Sequence, residues 1–147
     1  MIADTLSQKI AEAMKAKDEI RLSTLRLLSS AFNYEFIAKQ HKLSDEEEIV
    51  VIQREIKKRR DAVEAYEKAG ANDRAEKEKA EMQILEEFLP EQLSDEELGK
   101  IVDEAIALSK ASVISDMGKV MGLIMPKVSG KADGGRVSSL VLSRLGK

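Results

Sequence analysis

The stretch Glu86-Glu87-Phe88-Leu89-Pro90-Glu91-Gln92-Leu93-Ser94-Asp95-Glu96-Glu97-Leu98 contains both a helix end and a helix start. Pro90 has no N–H to continue an α-helix and biases Leu89 away from helical dihedrals. Four residues on, Ser94 and Glu97 have the capping-box spacing, in which the serine accepts from the third helical N–H and the glutamate reaches back to the cap. Leu93 before the cap and Leu98 at the fourth helical position add a hydrophobic staple. Pro90-Glu91-Gln92 therefore reads as a hinge, dividing the chain into a helical part over 1–90 and a second over 91–147.

Upstream of the hinge, Ile2, Leu6, Ile10 and Met14 form a stripe spaced by four, which predicts a first helix over about 1–17. After Asp18, a second helix (about 19–39) is apolar over more than half its circumference, through Ile20, Leu22, Leu25, Leu27, Leu28, Ala31, Phe32, Phe36 and Ile37. So wide a stripe belongs to a helix packed on more than one neighbour. Leu-Ser-Asp-Glu-Glu also occurs at 43–47, opening a third helix whose seam is Ile49, Ile52, Ile56, Arg59, Val63 and Tyr66. The repeat is shared helix-start chemistry rather than duplication. Gly70 stops this helix, and a fourth, about 72–89, buries Ala75, Met82, Leu85, Phe88 and Leu89. On the helical wheel Glu35 falls on the apolar side of helix two and Arg59 lies in the seam of helix three. The two are expected to meet as a partly buried pair.

Downstream, three short amphipathic helices are expected. The first carries Leu98, Ile101, Val102 and Ala105; the next, from about Asp116, carries Met117, Val120, Met121, Ile124 and Val128. The last, from about Gly134, carries Val137, Leu140, Val141 and Leu145. Gly118 and Gly122, four apart, would let another helix approach closely. The fold class is thus all-α and multihelical, a four-helix part followed by a small three-helix domain.

Composition agrees, with 35% charged residues, 3% aromatic and two prolines in 147 residues. With no Cys and one His, disulfides, zinc sites and Cys or Ser–His nucleophiles lose their raw material. His41 falls in a loop with no second His, and the Asp and Glu residues mostly sit beside Lys or Arg on outward faces. No catalytic constellation, cofactor or metal ligand set emerges. No apolar run approaches the roughly 20 residues of a membrane span, and the first residues lack a signal-peptide pattern. A cytoplasmic protein with no membrane partner is expected.

The net charge of −3 conceals an asymmetry. From Met117 onward, Lys119, Lys127, Lys131, Arg136, Arg144 and Lys147 face Asp133 alone, a local charge of +5. Such a patch suits a phosphate backbone, with Lys119 and Lys127 about 12 Å apart along one helix. The connection Gly130-Lys131-Ala132-Asp133-Gly134-Gly135-Arg136 has the wrong order for a phosphate-binding P-loop and follows no strand. It reads as a helix–helix turn with Gly130 and Gly134 as its glycines and Asp133 capping the last helix. Its N–H groups beside Lys131 and Arg136 would favour a phosphate. The run Arg54, Lys57, Lys58, Arg59, Arg60 reads as a solvated face with intrahelical pairs such as Glu55–Arg59.

Leu25-Arg26-Leu27 with Ala31, Arg59-Arg60 with Tyr66 and Ala69-Gly70, and Glu86-Glu87-Phe88-Leu89-Pro90 before Gln92-Leu93-Ser94 resemble the YqeY family. So do Met117-Gly118-Lys119-Val120-Met121-Gly122 and Gly130-Lys131-Ala132-Asp133-Gly134. The family pattern has an Arg soon after the glycine at 70, whereas here Arg74 comes later. The resemblance implies an all-helical protein whose C-terminal part is similar to the tail domain of the GatB subunit of aspartyl/glutamyl-tRNA amidotransferases, which contacts tRNA. It implies a non-catalytic module binding tRNA through Lys119, Lys127, Lys131, Arg136 and Arg144, with amidotransferase or aminoacyl-tRNA synthetase components as further partners. The alternatives are a helical interaction adaptor without RNA binding, and association with the carbon–nitrogen ligase activity (glutamine as amido-N-donor) attached to the family.

Overall fold

The computed structural model describes residues 1–146. It is all-α: α1 (Ile2–Lys15), α2 (Glu19–Lys39), α3 (Asp45–Lys68), α4 (Asn72–Glu86), α5 (Asp95–Ser109), α6 (Met117–Val128) and α7 (Gly134–Leu145). A single 3-10 turn, Ile114–Asp116, leads into α6, and no strand occurs among the described residues. The chain forms two compact units, residues 1–89 and the part from Pro90 onward.

Local signals start and stop the helices. Ser44 and Ser94 both complete their capping boxes, each Oγ accepting from the N3 amide at 3.2 Å and each N–H donating to the N3 glutamate at 2.9 Å. These backbone bonds hold the Glu47 and Glu97 carboxyls below the usual carboxylate range. Asp18 caps α2 by accepting from the Arg21 N–H at 3.0 Å. At the end of α3, Gly70 takes φ +73°, while Ala71 N–H donates to Tyr66 and Gly70 N–H to Glu67. This paired pattern is the Schellman motif, which satisfies the last carbonyls of the helix.

In the first unit α2 packs on α1, α3 and α4, and α3 and α4 form the most extensive helix pair. Its core is Leu6 and Ala13 of α1, Leu25, Leu28 and Phe32 of α2, Leu43 just before α3, Val51, Ile52 and Ile56 of α3, and Leu85 of α4. Met14, expected in the α1 stripe, is 54% exposed, and Ala13 is buried in its place. A spacing of four drifts about 40° per step on a helix, so by Met14 the series has rotated off the face defined by Leu6. α4 ends at Glu86 rather than near Leu89, and Phe88 and Leu89 continue as turns packed on the core.

The expected Glu35–Arg59 contact does not form. Arg59 Nε donates to Glu81 Oε2 of α4 at 3.2 Å, and its Nη1 donates to the Glu55 carboxylate and carbonyl, both at 3.1 Å. Glu35 instead accepts from Arg54 at 3.1 Å. The physical reason is the packing order: α3 lies along α4 more closely than along α2, so the seam arginine meets the carboxylates of that side. Burial and the neighbouring Glu81 push the Glu78 carboxyl upward.

The second unit builds its core from Leu98, Val102 and Ala105 of α5, Val120, Ile124 and Val128 of α6, Ala132, and Val137, Val141 and Leu145 of α7. Leu93 packs on the same cluster, next to fully buried Leu98. Gly118 and Gly122 are exposed, and a Cβ at either would meet nothing within 4 Å, so no helix approaches them among the described residues.

Candidate functional site

The segment just before α5 runs against the α6–α7 connection. Leu93 N–H donates to Lys131 O at 2.8 Å, and Gln92 Nε2 donates to Gly130 O at 2.8 Å. Gly130 is buried and takes φ +76°, a left-handed conformation that favours glycine at this turn. The connection carrying Lys131 is therefore pinned at the backbone while the Lys131 side chain stays exposed.

The five basic residues singled out from the sequence separate into two groups. Arg136 Nη2 donates to Leu93 O at 2.9 Å and pairs with Asp95 at 2.7 Å, joining the start of α7 to the start of α5. Arg144 Nε pairs with Asp103 of α5 at 2.9 Å. Both arginines thus tie α7 to α5. Lys119, Lys127 and Lys131 are exposed and form no salt bridge among the described residues. Lys119 lies one turn after Asp116, whose carboxyl is held low by accepting from the Ser112 and Val113 amides at 3.1 and 3.3 Å.

The first turn of α7 differs from a bare anion site. Asp133 occupies the N-cap position in an extended conformation, and its carbonyl accepts from Val137 N–H at 3.0 Å. Its side chain makes no cap hydrogen bond, contrary to the cap expected there. Its Oδ2 lies 3.2 Å from the place a Cβ on Gly135 would take, so a carboxylate already stands over the amides of this turn. A phosphate would meet that charge, and the helix dipole adds little to the case for Lys131. Gly134 has open space around its Cα, which leaves it no steric role.

The local +5 is also offset in space. From Pro90 onward the sequence holds eight cations (Lys100, Lys110, Lys119, Lys127, Lys131, Arg136, Arg144, Lys147) and eight anions (Glu91, Asp95, Glu96, Glu97, Asp103, Glu104, Asp116, Asp133), a net charge of zero. Asp95 and Asp103 neutralise the arginines of α7. What remains without a salt bridge among the described residues is the exposed ammonium groups of Lys119, Lys127 and Lys131. Among the described residues no group of three or more His, Asp or Glu side chains is placed to hold a metal ion, and no helix is long and apolar enough to cross a membrane.

An all-helical chain in two units, the second tied together by ion pairs across α5 and α7, is the class that fold and site define. Residues 3–145 match the family described as Yqey-like protein, and the chain belongs to the YqeY family. It is similar to an uncharacterized protein of Schizosaccharomyces pombe, 33% identical over 90 residues that make up 61% of this chain and 73% of that protein. It is also similar to one of the glutamyl-tRNA(Gln) amidotransferase subunits of Thermococcus gammatolerans, 38% identical over 88 residues, 57% of this chain but 14% of that longer protein.

Proposed function

We propose that this protein is a non-catalytic helical module that binds tRNA through Lys119, Lys127 and Lys131 of its second unit. The observation that carries the reading is the similarity to a short part, 14%, of a glutamyl-tRNA(Gln) amidotransferase subunit. Three exposed ammonium groups that form no salt bridge among the described residues, on α6 and the connection after it, support the reading. Ammonium groups meet phosphates as point charges, so they position a nucleic acid without reading its sequence. Components of the amidotransferase or of an aminoacyl-tRNA synthetase are the protein partners this reading proposes. The second reading, an interaction adaptor that does not touch RNA, is favoured by the zero net charge from Pro90 onward.

The test is tRNA affinity of a Lys127→Ala, Lys131→Ala variant at low and moderate salt, with Arg136→Ala as comparison. Binding should weaken several-fold in the lysine variant, and its salt slope should fall by roughly 1.5 to 2 units for two lost phosphate contacts. Arg136→Ala should change the slope less, because its guanidinium is already engaged by Asp95 and Leu93. Equal affinity and coincident slopes for the lysine variant and wild type would overturn the RNA reading and leave the adaptor.

A further inference from the structure

We infer that Met14 is a modification site, where a hydroperoxide leaves a methionine sulfoxide that Arg26 of α2 holds. The inference goes beyond the RNA reading and does not depend on it. Met14 lies in the last turn of α1 and is 54% exposed, so its sulfur is open to a small oxidant. Its backbone is fixed, because the Met14 carbonyl accepts from Lys17 N–H at 3.1 Å and Ala13 beside it is buried. Across the helix pair, Arg26 Nη2 donates to the Met14 sulfur at 3.8 Å.

This contact joins a strong donor to a weak acceptor. A guanidinium carries five N–H donors and a permanent charge, while a thioether sulfur accepts only weakly. The residues three and four away from Arg26 on its own helix are Leu22, Ser23, Ser29 and Ser30, none of them a carboxylate. Among the described residues its guanidinium forms no salt bridge and bonds only this sulfur. Oxidation corrects the mismatch. A sulfur lone pair attacks one oxygen of the hydroperoxide, the S–O bond forms as the O–O bond breaks, and the sulfur gives up two electrons. The departing hydroxide or alkoxide takes the proton of the transferred oxygen and leaves as water or an alcohol.

The sulfoxide oxygen carries partial negative charge, and the unbranched methionine side chain turns to bring it to Nη2. The resulting N–H···O bond, at about 2.7–3.2 Å, replaces the longer contact to sulfur. With a charged donor it belongs to the stronger class of hydrogen bonds. The other methionines lack this arrangement. Met82 packs on the first core and Met117 and Met121 on the second, where a sulfoxide would set a polar group among apolar side chains. Met1 and Met125 are 43% and 37% exposed, but no side-chain donor reaches their sulfurs among the described residues. Met14 is the position at which this chain takes up an oxidant and gains a contact between α1 and α2.

The experiment treats the full chain with hydrogen peroxide, follows each methionine by peptide mass spectrometry, and compares thermal midpoints before and after. Met14 should convert several-fold faster than Met82, Met117 and Met121. Oxidation should lower the midpoint of Arg26→Ala by a few degrees more than that of wild type. Met1 and Met125 are oxidised in both proteins, so the difference between the two shifts reports Met14. A second measurement needs no oxidant: Met14→Gln, whose amide oxygen imitates the sulfoxide, should melt above Met14→Leu, and Arg26→Ala should abolish that gap. Conversion of Met14 no faster than that of the core methionines overturns the inference. So does an oxidation shift equal in wild type and Arg26→Ala, or a gap between the Gln and Leu variants indifferent to Arg26.

Discussion

Arg59 shows what a single residue reveals in sequence and what it hides. A cation in a hydrophobic seam requires a carboxylate, and the seam position was legible from the three-four spacing of Ile52, Ile56 and Val63. Its partner was not, because Glu81 sits in a helix so rich in charge that its inward turn has no sequence mark. The side chains of Arg59 and Glu81 are each 8% exposed. Arg59→Met should therefore cost about 3–5 kcal/mol, the penalty for stranding a buried charge. Glu35→Gln, which loses only contacts to exposed Arg54 and Lys39, should cost under about 1 kcal/mol. Urea midpoints of the two variants check the contrast; equal losses would contradict the assigned pairing. Glu48 is a second such residue, fully buried and accepting from the Ala3 N–H at 2.6 Å. It supplies from α3 a cap that the Met1 side chain cannot give α1. Its spacing of three and four from Val51 and Ile52 was the available signal.

At the scale of elements, starts were more legible than ends. Serine caps act through bonds to amides three residues away, so sequence alone specifies them. The end of α2 at Lys39 was read correctly, but not the left-handed residues that close helices without glycine: Gln40 after α2, Lys110 after α5, and Lys17, with φ +56°, after α1. Nothing in those side chains announces the conformation. The glycines of α6 misled in the other direction, since Gly118 and Gly122 look like a contact for a neighbouring helix and touch none among the described residues. Gly122→Ala should accordingly raise stability by about 0.5–1 kcal/mol, the helix-interior cost of glycine with no clash to offset it. A thermal melt of this variant is the measurement, and a lowered midpoint would mean that something does occupy that space.

For the whole molecule, the cluster of cations in the last third of the chain becomes a property of the unit that contains it. Two cations of the +5 stretch fold against acids of α5, Arg136 against Asp95 and Arg144 against Asp103. The hinge contracts for a related reason: Gln92 and Leu93 are bonded to Gly130 and Lys131, so they belong to the second unit. Limited proteolysis should therefore cut within about residues 87–91, and a fragment covering 90–147 should be helical and melt cooperatively. A fragment without helical circular dichroism would show that its core needs the first unit.

Sequence alone determined the all-helical class, the helix starts and most core residues, because caps, breakers and apolar periodicity act within a few residues of one another. Only the tertiary structure decided that Arg59 meets Glu81, that Arg136 and Arg144 serve α5, and that Leu27, Tyr34 and Ile37 remain outside. Those outcomes depend on which helix lies beside which, and contacts between residues distant in the chain leave no local pattern to read.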